Sequence, residues 1–178
     1  MDRNVRRFAM PETQKSPPAG IAIDALAIPP RQPQVSAPRE LVPRFLGRIK
    51  RSLGEFFGLT NFGVNLVCLE PGAISSLRHA HSSQDEFVYV VQGAPTLITN
   101  SGETRLNAGM CVGFKAGTGN AHQFTNRTGD LVIFLEMGDR TLPDEISYPD
   151  DDLAISVDAS GIVSFRHKDG RLYEYSDR

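Results

Sequence analysis

The chain has 178 residues, 40% of them apolar and 22% charged, with a net charge of −2. This is the make-up of one globular domain with a workable core. It excludes a general affinity for nucleic acid or anionic membranes, and no apolar run approaches the ~20 residues of a membrane-spanning helix.

Residues 1–43 hold eight of the twelve prolines. Each proline removes a backbone donor, so this stretch predicts an extended N-terminal arm, with one short strand within Gly20–Ile28 (GIAIDALAI). Arg6-Arg7 has the look of a twin-arginine signal, but Pro11, Pro17 and Pro18 interrupt the place of an apolar region; the cytoplasm is the expected compartment. Residues 1–51 carry ten Lys/Arg against four Asp/Glu (+6), and residues 52–178 nine against seventeen (−8). A basic arm ahead of an acidic body suits either packing on a second subunit or a solvated tail. Residues 44–58 (RFLGRIKRSLGEFFG) alternate basic and apolar positions, which fits a short edge strand or one or two helical turns equally.

From Asn61 the pattern turns strand-like. FGVNLVCLEPG reads as a strand ended by Pro71-Gly72, SLRHAHS as a second and EFVYVVQG as a third ending at Gly93. PTLITN and ETRLNAG flank a tight turn at Asn100-Ser101-Gly102 and predict a hairpin. MCVGF, AHQFTNR and DLVIFLEM follow as further strands. Short, evenly spaced strands with Gly-rich turns predict an all-β sandwich or barrel over residues 44–137. After Met137, GDRTLPDEISYPDDD is polar and broken by Pro143 and Pro149. It predicts a long loop wrapping the barrel, with Asp150-Asp151-Asp152 as solvated charge. The remainder of the 138–178 segment predicts three short strands turning at Ala159-Ser160-Gly161 and Lys168-Asp169-Gly170, with His167 at the surface. Cys68 and Cys111 are too few for a disulfide framework and read as buried thiols.

The chemistry is concentrated between Gly72 and Asn126. In His79-Ala80-His81 two imidazoles point the same way, because alternate side chains of a strand share a face. Glu86 follows five residues later, ahead of its rival Asp85 when counted back from Gly93, and His122 lies well downstream. Three imidazoles and a carboxylate can hold a divalent transition metal and leave coordination positions open. Phe124 and Asn126 share the face of His122; Phe124 would wall the pocket and Asn126 would bond within the barrel. Ser76 lies three residues before His79 and Lys115 lies in the turn before His122; both are candidates to touch substrate. On the third strand, Glu86, Val88 and Val90 should face inward, and Phe87, Tyr89 and Val91 outward.

These spacings resemble the two motifs of the cupin superfamily. The first runs Gly72-AISSLR-His79-Ala-His81-SSQD-Glu86-FVYVVQ-Gly93, one residue longer than the family pattern after Gly72. The second runs Gly109-MCVGF-Lys115-Ala-Gly117-TGNA-His122-QFT-Asn126, with Lys115 where the family has proline and two extra residues before His122. The resemblance implies a jelly-roll barrel of small single-domain type. It also implies one metal ion (Zn, Mn, Fe or Ni) on His79, His81, Glu86 and His122, and a homodimer in which the arm crosses to the partner. Glu86 would also be the catalytic carboxylate, and Ser76, Lys115 and Phe124 the substrate contacts. The leading functional expectation is isomerisation of a small, sugar-like substrate through a metal-stabilised enediolate. The alternatives are a cupin dioxygenase using Fe or Ni with O2, and a non-catalytic metal-containing module that binds a small molecule.

Overall fold

The computed structural model describes residues 6–7, 22–31 and 38–173 of the chain. Thirteen strands are seen among them: β1 (Arg6–Arg7), β2 (Arg48–Ser52), β3 (Phe62–Leu69), β4 (Ala80–His81), β5 (Glu86–Gln92), β6 (Thr96–Thr99) and β7 (Gly102–Arg105), then β8 (Cys111–Phe114), β9 (Gln123–Thr125), β10 (Val132–Asp139), β11 (Asp144–Tyr148), β12 (Leu153–Val157) and β13 (Ile162–Arg166). They form three antiparallel sheets, ordered β2-β3-β10-β5-β8, β1-β13-β12-β11-β4 and β7-β6-β9.

Alternation along β5 sets the inside and outside of the first sheet. Val88 and Val90 are 2% and 0% exposed, whereas Phe87, Tyr89 and Val91 are 41%, 41% and 47% exposed. Val67 and Leu69 of β3, Val132 and Phe134 of β10, Leu97 of β6 and Phe124 of β9 complete the same buried cluster. Burying each such side chain contributes about 1.5–3 kcal/mol, so this layer is the main source of stability. A second cluster, built on Leu77, Leu153, Val163, Phe165 and Tyr173, lies under the sheet of β11–β13. Gly93 closes β5 with φ +81°, and a Cβ there would stand 2.8 Å from the Leu131 carbonyl oxygen and 2.9 Å from Val132 Cγ2; only glycine fits.

Several elements differ from expectation. The arm cannot be followed as a whole, because residues 1–5, 8–21 and 32–37 lie outside the described residues. Within 22–31 there is a short 3-10 turn, Ala25–Ala27, in place of a strand, because Asp24 caps it by accepting from Leu26 N at 2.9 Å. Residues 44–58 contain both alternatives: β2 is followed directly by a helical turn, α1 (Leu53–Phe56). The histidine segment is not one long strand. Ile74 and His79 bridge to Thr125 and His122, while Ala80 and His81 pair with Ser147 and Ile146 of β11. The chain changes partners there, crossing from one sheet to another.

The tail after Met137 is not a wrapping loop: β10 runs on to Asp139, and β11 lies between β12 and β4. The three acidic residues are tied to the protein: Asp150 pairs with Arg78 at 2.7 Å, Asp151 pairs with Arg44, and Asp152 accepts from His167 Nδ1 and Lys168 N, each at 2.8 Å. The last of the three expected strands is a single bridge, Leu172 to Arg166. Cys68 is buried but Cys111 is exposed, since it pairs with Tyr89 on the outward face.

Candidate metal centre

One atom organises the site. Glu86 Oε2 lies 3.6 Å from His79 Nε2, 3.6 Å from His81 Nε2 and 2.9 Å from His122 Nε2. Glu86 opens β5 opposite Gly138, whose missing side chain leaves room for the glutamate. His79 and His122 are held side by side by two backbone hydrogen bonds, of 3.1 and 2.8 Å, which set their ring centroids 4.7 Å apart. His81 comes in from β4, on the opposing sheet.

The remote nitrogens are held as well. His81 Nδ1 donates to Asp144 Oδ2 at 2.6 Å, and His79 Nδ1 donates to the Leu77 carbonyl at 2.9 Å. Each bond puts the proton on Nδ1 and turns the Nε2 lone pair toward Glu86. Asp144 is 1% exposed and also accepts from Ser83 N (2.9 Å) and Ser82 Oγ (3.1 Å). His122 is fixed by packing instead: the Phe114 ring stacks on it at 3.6 Å and 7°. Tyr148 stacks on His79 at 5.8 Å.

Burial pushes the His79 pKa down to about 4, against the pull of Glu86, so the ring is a neutral donor near pH 7. Burial pushes the Glu86 carboxyl up, but the surrounding imidazoles, His122 foremost, outweigh it and hold it below the usual carboxylate range. Glu86 Oε2 is buried with only His122 Nε2, at 2.9 Å, within hydrogen-bond distance, and His122 Nδ1 is buried without a partner. A desolvated carboxylate oxygen facing the Nε2 lone pairs of His79 and His81 is costly unless a cation is shared among them. The donor set therefore fits a divalent transition metal on His79, His81, Glu86 and His122; the ligand atoms of His79, His81 and Glu86 lie within 4.8 Å of one another.

The other expected site residues lie elsewhere around this centre. Ser76 Oγ is 3.3 Å from His79 Nδ1, behind the ring. Phe124 is 2% exposed and edge-on to Phe114 and His122 in the core, so Phe114 is the ring that walls the histidine. Lys115 follows Phe114 and is exposed; it lines a groove that joins Glu86 and Phe114 to the outward-facing Phe62, Phe87 and Met137. Asp85 accepts from Ala116 N at 2.7 Å and anchors that turn. Asn126 donates to the Leu69 and Asp130 carbonyls. The sequence reading passed over Asp144, Tyr148 and Phe114. The first two alternate inward along DEISY, which was the available signal.

A family profile for the cupin domain matches residues 65–138. The crystal structure of a sugar phosphate isomerase from a cupin superfamily, from Silicibacter pomeroyi DSS-3, is 44% identical, with a TM-score of 0.78 over 86% of this chain and 97% of that one. The chain belongs to the cupin superfamily. Its all-β architecture is the cupin jelly roll. A candidate sugar phosphate isomerase from Acidithiobacillus ferrooxidans is 27% identical, with a TM-score of 0.63 over 74% of this cupin and 81% of that chain. The polyketide cyclase RemF from Streptomyces resistomycificus, 16% identical with a TM-score of 0.56 over 70% of this cupin and 82% of that chain, shares the fold. Comparison with the curated proteins finds no match. Among the described residues no helix is long and apolar enough to cross a membrane.

Proposed function

We propose that this cupin is a metal-dependent isomerase of a small phosphorylated sugar. The observation that carries the reading is the convergence of three imidazole Nε2 atoms on the buried Glu86 Oε2. The choice of isomerisation draws support from the 44% identical relative, which is a sugar phosphate isomerase. A divalent cation on these four side chains would supply positive charge for a carbonyl and its neighbouring hydroxyl as an enediolate develops.

The chain's own groups do the rest. The stacked rings of Phe114 and Tyr148 flank the histidines and limit water. Moving a proton between adjacent carbons needs a general base facing the interior. Besides Asp144, which is taken up by His81 and the Ser82–Ser83 turn, the inward carboxylates include Glu86, the expected catalytic carboxylate, and Glu136, which pairs in register with Val88 and is held by Lys50 Nζ at 2.5 Å and Asn65 Nδ2 at 3.2 Å.

Elemental analysis of protein purified without added cations should give about one transition metal per chain, and His81→Ala should remove most of it. Metal-loaded protein should interconvert an aldose phosphate and its ketose phosphate, followed by NMR, without consuming O2. A metal-free preparation would remove the metal reading. Oxygen uptake with a catechol or 1,3-diketone would replace isomerisation with dioxygenase chemistry.

A further inference from the structure

The inner face of β2 carries two cations beside the metal centre. Arg48 and Lys50 pair in register with Leu69 and Val67, both fully buried in the core layer, so both basic side chains face the barrel interior. Their circumstances differ. Lys50 is neutralised by Glu136 at 2.5 Å. Arg48 has no carboxylate within 4 Å among the described residues; its guanidinium lies 4.3 Å over the Phe45 ring, and Nη1 donates to the Ser75 carbonyl at 2.6 Å. Ser75 adjoins Ser76, whose hydroxyl stands against His79.

Tyr148 connects the two places. Its ring stacks on His79, and its hydroxyl is within electrostatic reach of both Glu86 and Arg48. Burial lowers the Arg48 pKa; the charge of Glu136 opposes this from beyond salt-bridge distance, and Arg31, whose backbone N–H donates to the Lys50 carbonyl at 2.7 Å, acts with burial to a smaller extent. An arginine stays protonated even so. The result is a half-buried, planar cation whose direct neighbours are a neutral carbonyl and a ring, while the carboxylate nearest in influence, Glu136, is already held by Lys50. Such a guanidinium is suited to an oxyanion, which it can grip with two parallel N–H donors.

We propose that Arg48 binds the phosphoryl group of the substrate, whose carbonyl end lies at Glu86 and the three histidines. The assignment rests on the isomerase reading for the identity of the substrate. It makes Arg48, and not Lys115, the anion anchor, and it leaves Lys50 to hold Glu136.

Calorimetric titration of inorganic phosphate into metal-loaded wild type, Arg48→Gln and His81→Ala protein tests it. Glutamine keeps a donor for the Ser75 carbonyl while removing the charge. Arg48→Gln should weaken phosphate binding by about tenfold or more with metal content unchanged, and His81→Ala should lose the metal but keep phosphate binding. Absence of binding to the wild type, or equal affinity in Arg48→Gln, overturns the assignment. So does binding lost with His81→Ala but kept in Arg48→Gln, which places phosphate on the metal. If Arg48→Gln does not fold, Arg48→Lys takes its place: its single ammonium should weaken binding several-fold, and unchanged affinity overturns the proposal. The phosphate readout is independent of turnover. If no sugar phosphate is converted, the isomerase reading falls while the Arg48 result stands. If conversion occurs and the Arg48→Gln KM equals that of the wild type, only the anchor falls.

Discussion

Asp144 has the most consequential side chain outside the candidate ligand set. It is a fully buried carboxylate whose partners are His81 Nδ1, Ser82 Oγ and Ser83 N, so its charge is satisfied and the His81 ring is locked in orientation and tautomer. Asp144→Asn keeps the volume but places an amide donor where an acceptor is needed. Metal affinity should fall by about 10- to 100-fold with the fold intact, as read by competition with a chromogenic chelator; unchanged affinity would mean that His81 needs no such support. The buried His79 gives a second expectation, for metal-stripped protein. Its folded pKa of about 4 lies below the ordinary 6.5. Below pH 6.5 the unfolded chain therefore takes up a proton that the folded chain refuses, so stability is lost as the pH falls from 6.5 toward 4. Glu86, also depressed, extends the loss in the same direction below its ordinary 4.5. Between pH 6.5 and 5 the histidine contribution is about 2 kcal/mol. Thermal melts should show the loss in the wild type and a flatter profile in His79→Gln; equal slopes would show that His79 is not the group responsible.

At the scale of elements, β11 positions the site although it carries no ligand. Its inward residues are Asp144, Ile146 and Tyr148: one holds His81, one pairs with it, one stacks on His79. Ile146→Pro would remove a donor from a strand paired on both sides and should cost about 3 kcal/mol or more. Metal retention should fall with it, because the β4 pairing is lost. A melting temperature and metal content equal to wild type would show that β4 stands without β11. The same strand shows what the sequence hides. β3, β5 and β10 were legible because valine, leucine and phenylalanine alternate with outward residues over seven or eight positions. DEISY has the same period, but its first inward residue is an aspartate and prolines stand on both sides, so hydrophobicity alone marks it as loop. The spacing around Gly72–Gly93 pointed to His79, His81 and Glu86 as one group. The inward turn of Arg48 and Lys50 was hidden, because a basic–apolar alternation reads equally as strand or helix until the pairing with Val67 and Leu69 is known.

Across the whole molecule, the candidate ligands tie the three sheets together. His81 belongs to β4 in the sheet of β11–β13, Glu86 to β5 in the first sheet, and His122 directly precedes β9 in the third. Among the described residues the backbone bonds across these junctions include the His79–His122 bridge, and the bonds from Gly117 N to the His81 carbonyl, from Ser75 N to the Phe124 carbonyl, from Gly72 N to the Asn126 carbonyl and from Asn126 N to the Ala73 carbonyl. A cation held by all four side chains would bind the folded barrel and not the unfolded chain, so its binding energy adds to stability. At a thousandfold excess over Kd that is about 4 kcal/mol, or about 10 °C in Tm for a chain of this length. Chelation should therefore lower Tm by this order in the wild type, and restoring the metal should reverse the change. His81→Ala removes one of the four ligands, so its Tm should not respond to chelator. A wild-type melt indifferent to chelator at stoichiometric metal content would place the ion outside this junction, and with it the reading of Glu86 Oε2 as the meeting point of the three sheets.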